Sequence, residues 1–397
     1  MSADHRKTRR KRKEEPREIM DKRLEEYEQE NPLQLVLFQV ADHVDTKRRL
    51  APNETPEHSK YSNTFEFFDG IPKYLYSKST WKDGDSVFAL EREFEHAGKP
   101  YAVKVAPAMM AGKDKVLRPV FPGVRERYVF DGLIKLSLQE DKGVFLSDRF
   151  GIKFNLRDLQ RELKEQGKTY SITQIAESLR IMRAASYQVS SRVGEKAKAE
   201  YSFSIISELG LVTLDDWREN KGGAICYARL NQIAHDSLIN KTYRLFNYVQ
   251  NLNYRSVIAS DLHKRMSHRF TQASDNGKPY SLRVSTIIRD FGLTPCAQFR
   301  DNVRQIEAAL EEMKQSGVVA EYKVEPEYGH KEEGKGNGKR RTKPSLVDAM
   351  VHIRPSGNFC REVFIANGVA RKITDNDTKT LKTQYPHLKR LDAHNDK

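Results

Sequence analysis

Cysteine and tryptophan are scarce in this sequence: 397 residues hold three cysteines, Cys226, Cys296 and Cys360, and two tryptophans. The cysteines are far apart and fit no Cys-x-x-Cys spacing, which argues against a disulfide framework or a zinc finger and for a reducing compartment. Long apolar runs are missing as well. The patch "LQLVLFQV" at 33–40 is far too short to span a membrane, and the basic N-terminus is not followed by the apolar core of a signal peptide. A cytoplasmic protein is expected.

What is present is charge, unevenly placed. The composition is 38% apolar and 31% charged, as in a globular chain with disordered ends, and the formal net charge is +14. Residues 1–13 contribute +6, residues 328–343 contribute +4 and residues 370–397 contribute +3, so that 13 of the 14 excess charges sit in three segments. Basic excess in flexible arms suits a polyanion, because each neutralised phosphate releases counterions. An anionic membrane is the rival polyanion, but "HRKTRRKRK" has none of the Trp, Phe or Leu an interfacial helix would place beside its charge. A purely solubilising role for the arms is the alternative.

The stretch "YGHKEEGKGNGKRRTK" at 328–343 raises a more specific question, since Gly329, Gly334 and Lys335 stand at the spacing of a phosphate-cradling loop. Gly336 follows where such a loop needs Ser or Thr to hold magnesium. No helical periodicity follows either, so no helix N-terminus would face the phosphate. The segment therefore reads as a basic finger rather than a nucleotide site.

Along the chain, residues 1–63 read as a basic arm, a solvated charged helix at 14–30 and a linker rich in Pro and Asn. Strand-like pieces follow, "NTFEFF", "SVFALEREFEH" and "KPYAVKVA", separated by turn signals such as Ala97-Gly98. Pro122-Gly123 then precede a helix, "VRERYVFDGLIKLSLQ"; Asn155 caps "LRDLQREL"; and Ser171 with Gln174 forms a capping box opening "ITQIAESLRIMRAA". "SYQVSSR" and "EYSFSIISEL" make a hairpin around the turn "VGEKAKA". Three helices and a hairpin are the order of a winged helix, and the order recurs. "AICYARL" is a strand, Asn231 caps "QIAHDSLI", and "SVIASDLHKRMSHRF" leads to the strand "YSLRV" and the helix "TIIRDF". Gly292 supplies a turn, Thr294 a cap and Pro295 a first helical position. In "CAQFRDNVRQIEAALEEMKQ", Phe299, Val303, Ile306, Leu310 and Met313 share one face. The finger at 328–343 then falls between "VVAEYKV" and a return strand near "SLVDAMVHI", where the wing of the second module belongs.

The expected fold is α+β: two tandem winged-helix (helix-turn-helix) domains at 64–215, with a leading small sheet, and at 216–365, after the disordered N-terminal arm and before a basic tail at 366–397. In a helix-turn-helix the early residues of the second helix meet base edges in the major groove. For the second module these are Gln298, Arg300, Arg304 and Gln305, together with Asp301, and on the wing Lys335, Lys339, Arg340, Arg341 and Lys343. Arg pairs with guanine and Gln with adenine through two hydrogen bonds. The bland alternative is that Asp301 with Arg304 or Gln305 forms a surface helix pair. The first module offers Thr173, Gln174, Arg180 and Arg183, with Arg192, Lys196 and Lys198 on its wing, while Glu177 counts against a simple phosphate-binding face.

No catalytic constellation emerges. Gly-x-Ser-x-Gly and His-Glu-x-x-His are absent. "MVHIRP" holds only His352 where a nicking initiator would have two histidines flanking one apolar residue, and His263 and His268, five apart, read as ordinary surface histidines rather than metal ligands. No enzyme activity, cofactor or metal is expected.

With "FFDGIPKYLYSK" at 67–78, "PVFPGVRERYVFDGLIKL" at 119–136 and the paired modules behind them, the chain resembles the RepA-type plasmid replication initiators of theta-type replication over about residues 64–360. The resemblance implies a bacterial protein with two winged-helix domains that binds direct repeats at a plasmid origin. It also implies melting of adjacent AT-rich DNA, recruitment of host helicase and initiator proteins, and autorepression as a homodimer. The residues alone stop at a two-module, sequence-specific binder of double-stranded DNA. A transcriptional repressor or partition-type protein stays open as the alternative, and a DNA-nicking initiator as a rival of another class.

Overall fold

The computed structural model describes residues 60–76, 88–112, 114–138, 143–146, 149–193, 196–211, 226–239, 243–271, 273, 279–329 and 345–367. The basic arm, the charged helix expected at 14–30, the C-terminal tail and nearly all of the basic finger lie outside them. Helices alternate with small antiparallel sheets, an α+β chain, and the described residues belong to one compact unit.

In its N-terminal lobe, strand β1 (Tyr61–Phe65) runs directly into the short helix α1 (Glu66–Gly70). "NTFEFF" was expected as one strand. It turns because the Asp69 carboxylate reaches back to the Phe65 amide at 2.8 Å and takes the Thr64 hydroxyl as a second donor, which satisfies a helix N-terminus rather than a sheet ladder. Strands β2 (Leu90–His96) and β3 (Lys99–Ala106) pair around Ala97-Gly98, both at positive φ, 49° and 73°. That is the backbone a tight two-residue hairpin demands. A second hairpin follows, β4 (Ala108–Ala111) with β5 (Leu117–Val120).

Helix α2 (Val124–Ser137) comes next, then β6 (Gly143–Leu146), β7 (Arg149–Phe154), α3 (Leu156–Glu165) and α4 (Ile172–Ala184). The expected caps form: Asn155 accepts from the Arg157 amide, and Ser171 with Gln174 makes the reciprocal box. Helices α2, α3 and α4 pack on one another. Gly132 permits the close approach, since a Cβ there would lie 3.1 Å from both Leu159 Cδ1 and Leu163 Cδ2. Strands β8 (Ser186–Val193) and β9 (Lys196–Phe203) complete the sheet β2-β3-β8-β9. Strand β10 (Ile206–Gly210) joins β11 (Cys226–Leu230), which pairs on its other side with β7. Thus "CYARL", on the far side of the boundary expected at 215/216, completes a sheet of the N-terminal lobe. Helix α5 (Gln232–Ile239) follows, with Asn231 accepting from the Ala234 amide.

The C-terminal lobe begins with β12 (Tyr243–Asn247), α6 (Tyr248–Asn253) and α7 (Val257–Arg269). Then come β13 (Tyr280–Arg283), α8 (Val284–Phe291), α9 (Phe299–Gln315), β14 (Val319–Tyr328), β15 (Leu346–Pro355) and a last helix, α10, at 357–367. The sheet order is β13-β15-β14. One apolar core joins Leu262 and Met266 of α7, Ile287 of α8, Ile306, Leu310 and Met313 of α9 and Val351 of β15.

Candidate nucleic-acid interface

The exposed side of α9 is defined by what its other side buries. Ile306, Ala309, Leu310 and Met313 are buried, so Arg300, Arg304 and Gln305 are left outside. The turn before it is held by backbone chemistry. Gly292 takes a left-handed φ of +63° at the end of α8, its amide bonding the Arg289 and Ile288 carbonyls, and the buried Asn302 Oδ1 accepts from the Cys296 amide at 2.8 Å. This bond keeps residues 292–298 as a loop and moves the helix start from the expected Pro295 to Phe299, with Gln298 rather than Thr294 at the cap. Arg300 thereby sits at the second helical position. It has no polar partner among the described residues. Arg304 is 72% exposed and holds Asp301 at 3.3 Å, the surface pair foreseen as the bland reading, while Gln305 Nε2 donates to Cys296 Sγ at 3.2 Å.

Strands β14 and β15 pair from Val319↔Pro355 to Tyr328↔Leu346, so the finger is the connection between two paired strands. Lys335, Lys339, Arg340, Arg341 and Lys343 themselves lie outside the described residues. The base of the hairpin has no positive excess: Glu321, Glu325, Glu327 and Asp348 outnumber its Lys323 and Arg354, Lys323 meets Glu325 at 2.6 Å, Arg354 meets Glu321 at 3.2 Å and Arg283 of β13 bonds Glu327. Any surplus positive charge on this hairpin therefore resides in the connection.

On α4, Thr173, Gln174, Arg180 and Arg183 are all exposed. The Gln174 oxygen is committed to the Ser171 amide at 2.8 Å. Glu177, which weighed against this face, is held by Arg125 at 2.8 Å, so part of its charge is offset from within the lobe. Arg192, Lys196 and Lys198 belong by backbone to β8 and β9, next to the turn that joins the two strands; their side chains lie outside the described residues.

Sequence reasoning missed a second constellation entirely. Helix α2 is buried on every side from Glu126 to Ser137, and it carries Glu126, Arg127, Asp131 and Lys135 into the interior. A buried charge needs a partner, and each has one. Arg127 Nη2 lies 2.8 Å from Asp261 Oδ1 and 2.6 Å from Ser260 Oγ, both on α7; Tyr76 OH donates to the other Asp261 oxygen at 2.9 Å. Lys264 of α7 meets Asp131 at 2.5 Å. Glu126 accepts from Ser178 at 2.8 Å, and Lys135 donates to the Tyr61 carbonyl at 2.5 Å. Lys73 bonds the Phe68 carbonyl at 2.5 Å beneath a ring face. A cavity of about 50 Å³ lies among Asp69, Lys73, Arg127, Asp131 and Lys264.

The electrostatics follow from this packing. Burial would lift the Asp69 carboxyl, but Lys264, Lys73, the Thr64 hydroxyl and His268 outweigh it and hold it at about 2. Burial brings the Lys73 ammonium down to about 8, raises Asp261 against the pull of Arg127 and takes the His268 imidazolium down to about 3.

His263 and His268 are not surface residues. They are 0% and 7% exposed. His263 Nδ1 faces the Tyr254 hydroxyl at 3.4 Å and His268 Nε2 the Thr64 hydroxyl at 3.0 Å, because α7 is enclosed by both lobes. The sequence signal was the density of apolar residues around the α2 charges: Val124, Tyr128, Val129, Phe130, Leu133, Ile134 and Leu136 cover more than one helix face.

No protein-family model and no curated protein matches the chain. Solved structures similar in chain course include two of RctB domains. A crystal structure of domains 2 and 3 of RctB matches with a TM-score of 0.42 at 11% identity, over 72% of this chain and 97% of that one. A second RctB domains 2-3 structure matches with 0.41 at 13% identity, over 75% and 99%. Among the described residues no helix is long and apolar enough to cross a membrane, and no group of three or more His, Cys, Asp or Glu side chains could hold a metal ion.

Proposed function

We propose that the protein is a sequence-specific double-stranded DNA-binding replication initiator. In this reading α7, β13, α8, the turn at Gly292, α9 and the β14–β15 hairpin form a winged helix, with α9 in the major groove and the basic connection at 330–344 along the phosphate backbone. Helices α2, α3 and α4 with the β8–β9 hairpin form the other. The observation that carries the reading is α9 itself, an amphipathic helix fixed behind a tight turn and presenting Arg300 and Arg304 to solvent one helical turn apart. Charged arms at both ends would add sequence-independent affinity. The initiator assignment within this class rests on the sequence resemblance, which would place the binding on direct repeats at an origin, recruit host helicase and initiator proteins, and include autorepression as a dimer. Neither cofactor nor catalysis is part of it.

Footprinting the purified protein on DNA flanking its own gene, without nucleotide and across a salt series, tests the proposal. Protection of evenly spaced direct repeats is expected. Protection confined to one inverted repeat at a promoter would favour the repressor, metal-dependent cleavage of supercoiled DNA would favour the nicking enzyme, and no bounded protection would sink all DNA-reading versions.

A further inference from the structure

Among the described residues the two lobes meet at several places, of which three bear on their relative freedom. Strand β1, which runs into α1, pairs with β12 over Tyr61↔Asn247 to Phe65↔Tyr243, and β12 is tied to the rest of the C-terminal lobe through Asn247 to Glu362 at 2.7 Å. Helix α2 is bonded to α7 by the Arg127–Asp261 pair and the buried Asp131–Lys264 pair.

The third contact reaches the DNA-facing turn. Arg92 of β2 donates to the carbonyls of Pro72 and Tyr74 at 2.8 and 2.7 Å. Gly292 lies on it so closely that a Cβ would stand 2.7 Å from Arg92 Nη1 and 2.9 Å from Pro72 Cβ. Beside this, Asp290 of α8 accepts from the Glu95 amide at 3.3 Å, Arg289 meets the Glu95 carboxylate at 3.3 Å and Arg269 donates to the Glu95 carbonyl at 3.2 Å. One contact allows a lobe to swivel and two leave a hinge axis. Three spread over β1, α2 and β2 restrain both, in keeping with the single compact unit these elements belong to.

Resting on the reading of α4 and α9 as DNA-facing helices, we propose that the junction makes the two lobes one rigid reader. The chain then accepts a single contiguous site whose halves stand at one fixed separation and helical phase, and Arg92 is the positioning residue that ties the α8–α9 turn to the N-terminal lobe. Two independently tethered modules would behave differently: they would follow their half-sites when these are moved apart by a whole helical turn.

The test uses the full chain and its footprinted site. The stretch whose protection is lost in Arg300→Ala/Arg304→Ala marks the part read by the C-terminal lobe. About five or about ten base pairs, half a turn or a whole one, are inserted between this part and the remainder. Affinities are then measured at one salt concentration. Both insertions are expected to weaken binding about tenfold or more, because either way one lobe's base contacts are lost. Binding of the ten-base-pair insertion within about twofold of the native site would overturn the rigid reader, since phase alone would then suffice.

Arg92→Ala should narrow the ratio between native and ten-base-pair-inserted DNA. Equal weakening on both DNAs, with the ratio unchanged, would mean that Arg92 only supports the fold and would overturn its positioning role. The two failures separate cleanly: a mapped site that tolerates insertion sinks rigidity alone, whereas a chain that gives no bounded footprint sinks the DNA-reading proposal and this one with it.

Discussion

Arginine does opposite work in two regions of this molecule. At the junction, Arg127 is 2% exposed and its guanidinium is divided between Asp261 and Ser260; on α9, Arg300 and Arg304 stand in solvent, one without a partner among the described residues and one in a loose pair with Asp301. A desolvated charge is tied to its partner, because losing the partner leaves a buried ion. An exposed one keeps its donors free for an incoming base or phosphate at little structural cost. The difference teaches that charge in this sequence has to be weighed by the company it keeps. The arginine on a helix buried on every side is structural, while the arginines on the polar face of an amphipathic helix are available.

The widest break in this comparison is expected on the DNA side. If α9 reads bases as proposed, Arg300→Ala with Arg304→Ala removes two side chains that would each contribute about 1–3 kcal/mol of base discrimination, so repeat-specific binding should vanish into the weak non-specific level. Unfolding midpoints should stay within about 0.5 kcal/mol of the parent. A double variant that footprints normally would show that α9 is not the reading helix.

At the junction the same substitution should do the reverse. Arg127→Ala leaves Asp261, 17% exposed, with Tyr76 as its remaining close donor and is expected to cost about 3 kcal/mol in urea unfolding, the lower end for breaking a buried pair. Replacing the pair together, Arg127→Met with Asp261→Leu, should recover most of that loss, because an apolar pair of similar volume carries no desolvation penalty. If the single variant is as stable as the parent, the pair does not hold the lobes.

Acid sharpens the contrast next. His268 titrates at about 3 in the folded chain, where burial disfavours its charge, against 6.5 for the free side chain. The unfolded chain therefore binds the extra proton between those values, and stability is full above about pH 6.5 and falls as pH drops towards 3, by up to about 1.4 kcal/mol per pH unit. Asp69, held at about 2, adds a loss as pH falls below 3.8. A pH series of urea midpoints should show this slope, and His268→Gln should flatten the part between pH 6.5 and 4. An unchanged slope would place the acid-sensitive group elsewhere.

These effects bear on how much could be read beforehand. Local signals survived contact with the structure where the chain's own neighbours decide the outcome: the Ser171–Gln174 box, the Asn155 and Asn231 caps, the left-handed Gly292 and the apolar face of Ile306, Leu310 and Met313 all formed. Signals failed where distant residues decide. The helix start slipped from Pro295 to Phe299 because Asn302 captures the Cys296 amide. "CYARL" joined the earlier sheet because β7 and β10 offered free edges. His268 was misplaced because nothing local says that β1 of the other lobe covers α7, and His263 because Tyr254 and Phe359, outside α7, enclose it within its own lobe. The stretches "FFDGIPKYLYSK" and "VRERYVFDGLIKL", which carried the resemblance, supply Asp69, Lys73, Tyr76, Arg127 and Asp131 to the junction; the apolar density around the α2 charges signals their burial, but not which residues on α7 they meet.

The smallest expected effect closes the comparison from the exposed side. Asp301→Ala removes the carboxylate that Arg304 holds at 3.3 Å and that also sits in the first turn of α9, where a negative charge suits the helix dipole. Since an exposed i,i+3 pair contributes about 0.2–0.5 kcal/mol, the unfolding free energy should fall by a few tenths of a kcal/mol, roughly a tenth of the cost at Arg127. DNA binding should move the other way: Arg304 is released and a like charge is withdrawn from the phosphates, so affinity at low salt should rise and the gain should shrink as salt is added. Titrations at two salt concentrations with matched unfolding curves measure both. A large stability loss would mean that the α9 surface is structurally committed, and weaker binding would mean that Asp301 itself orients Arg304 for the base it reads.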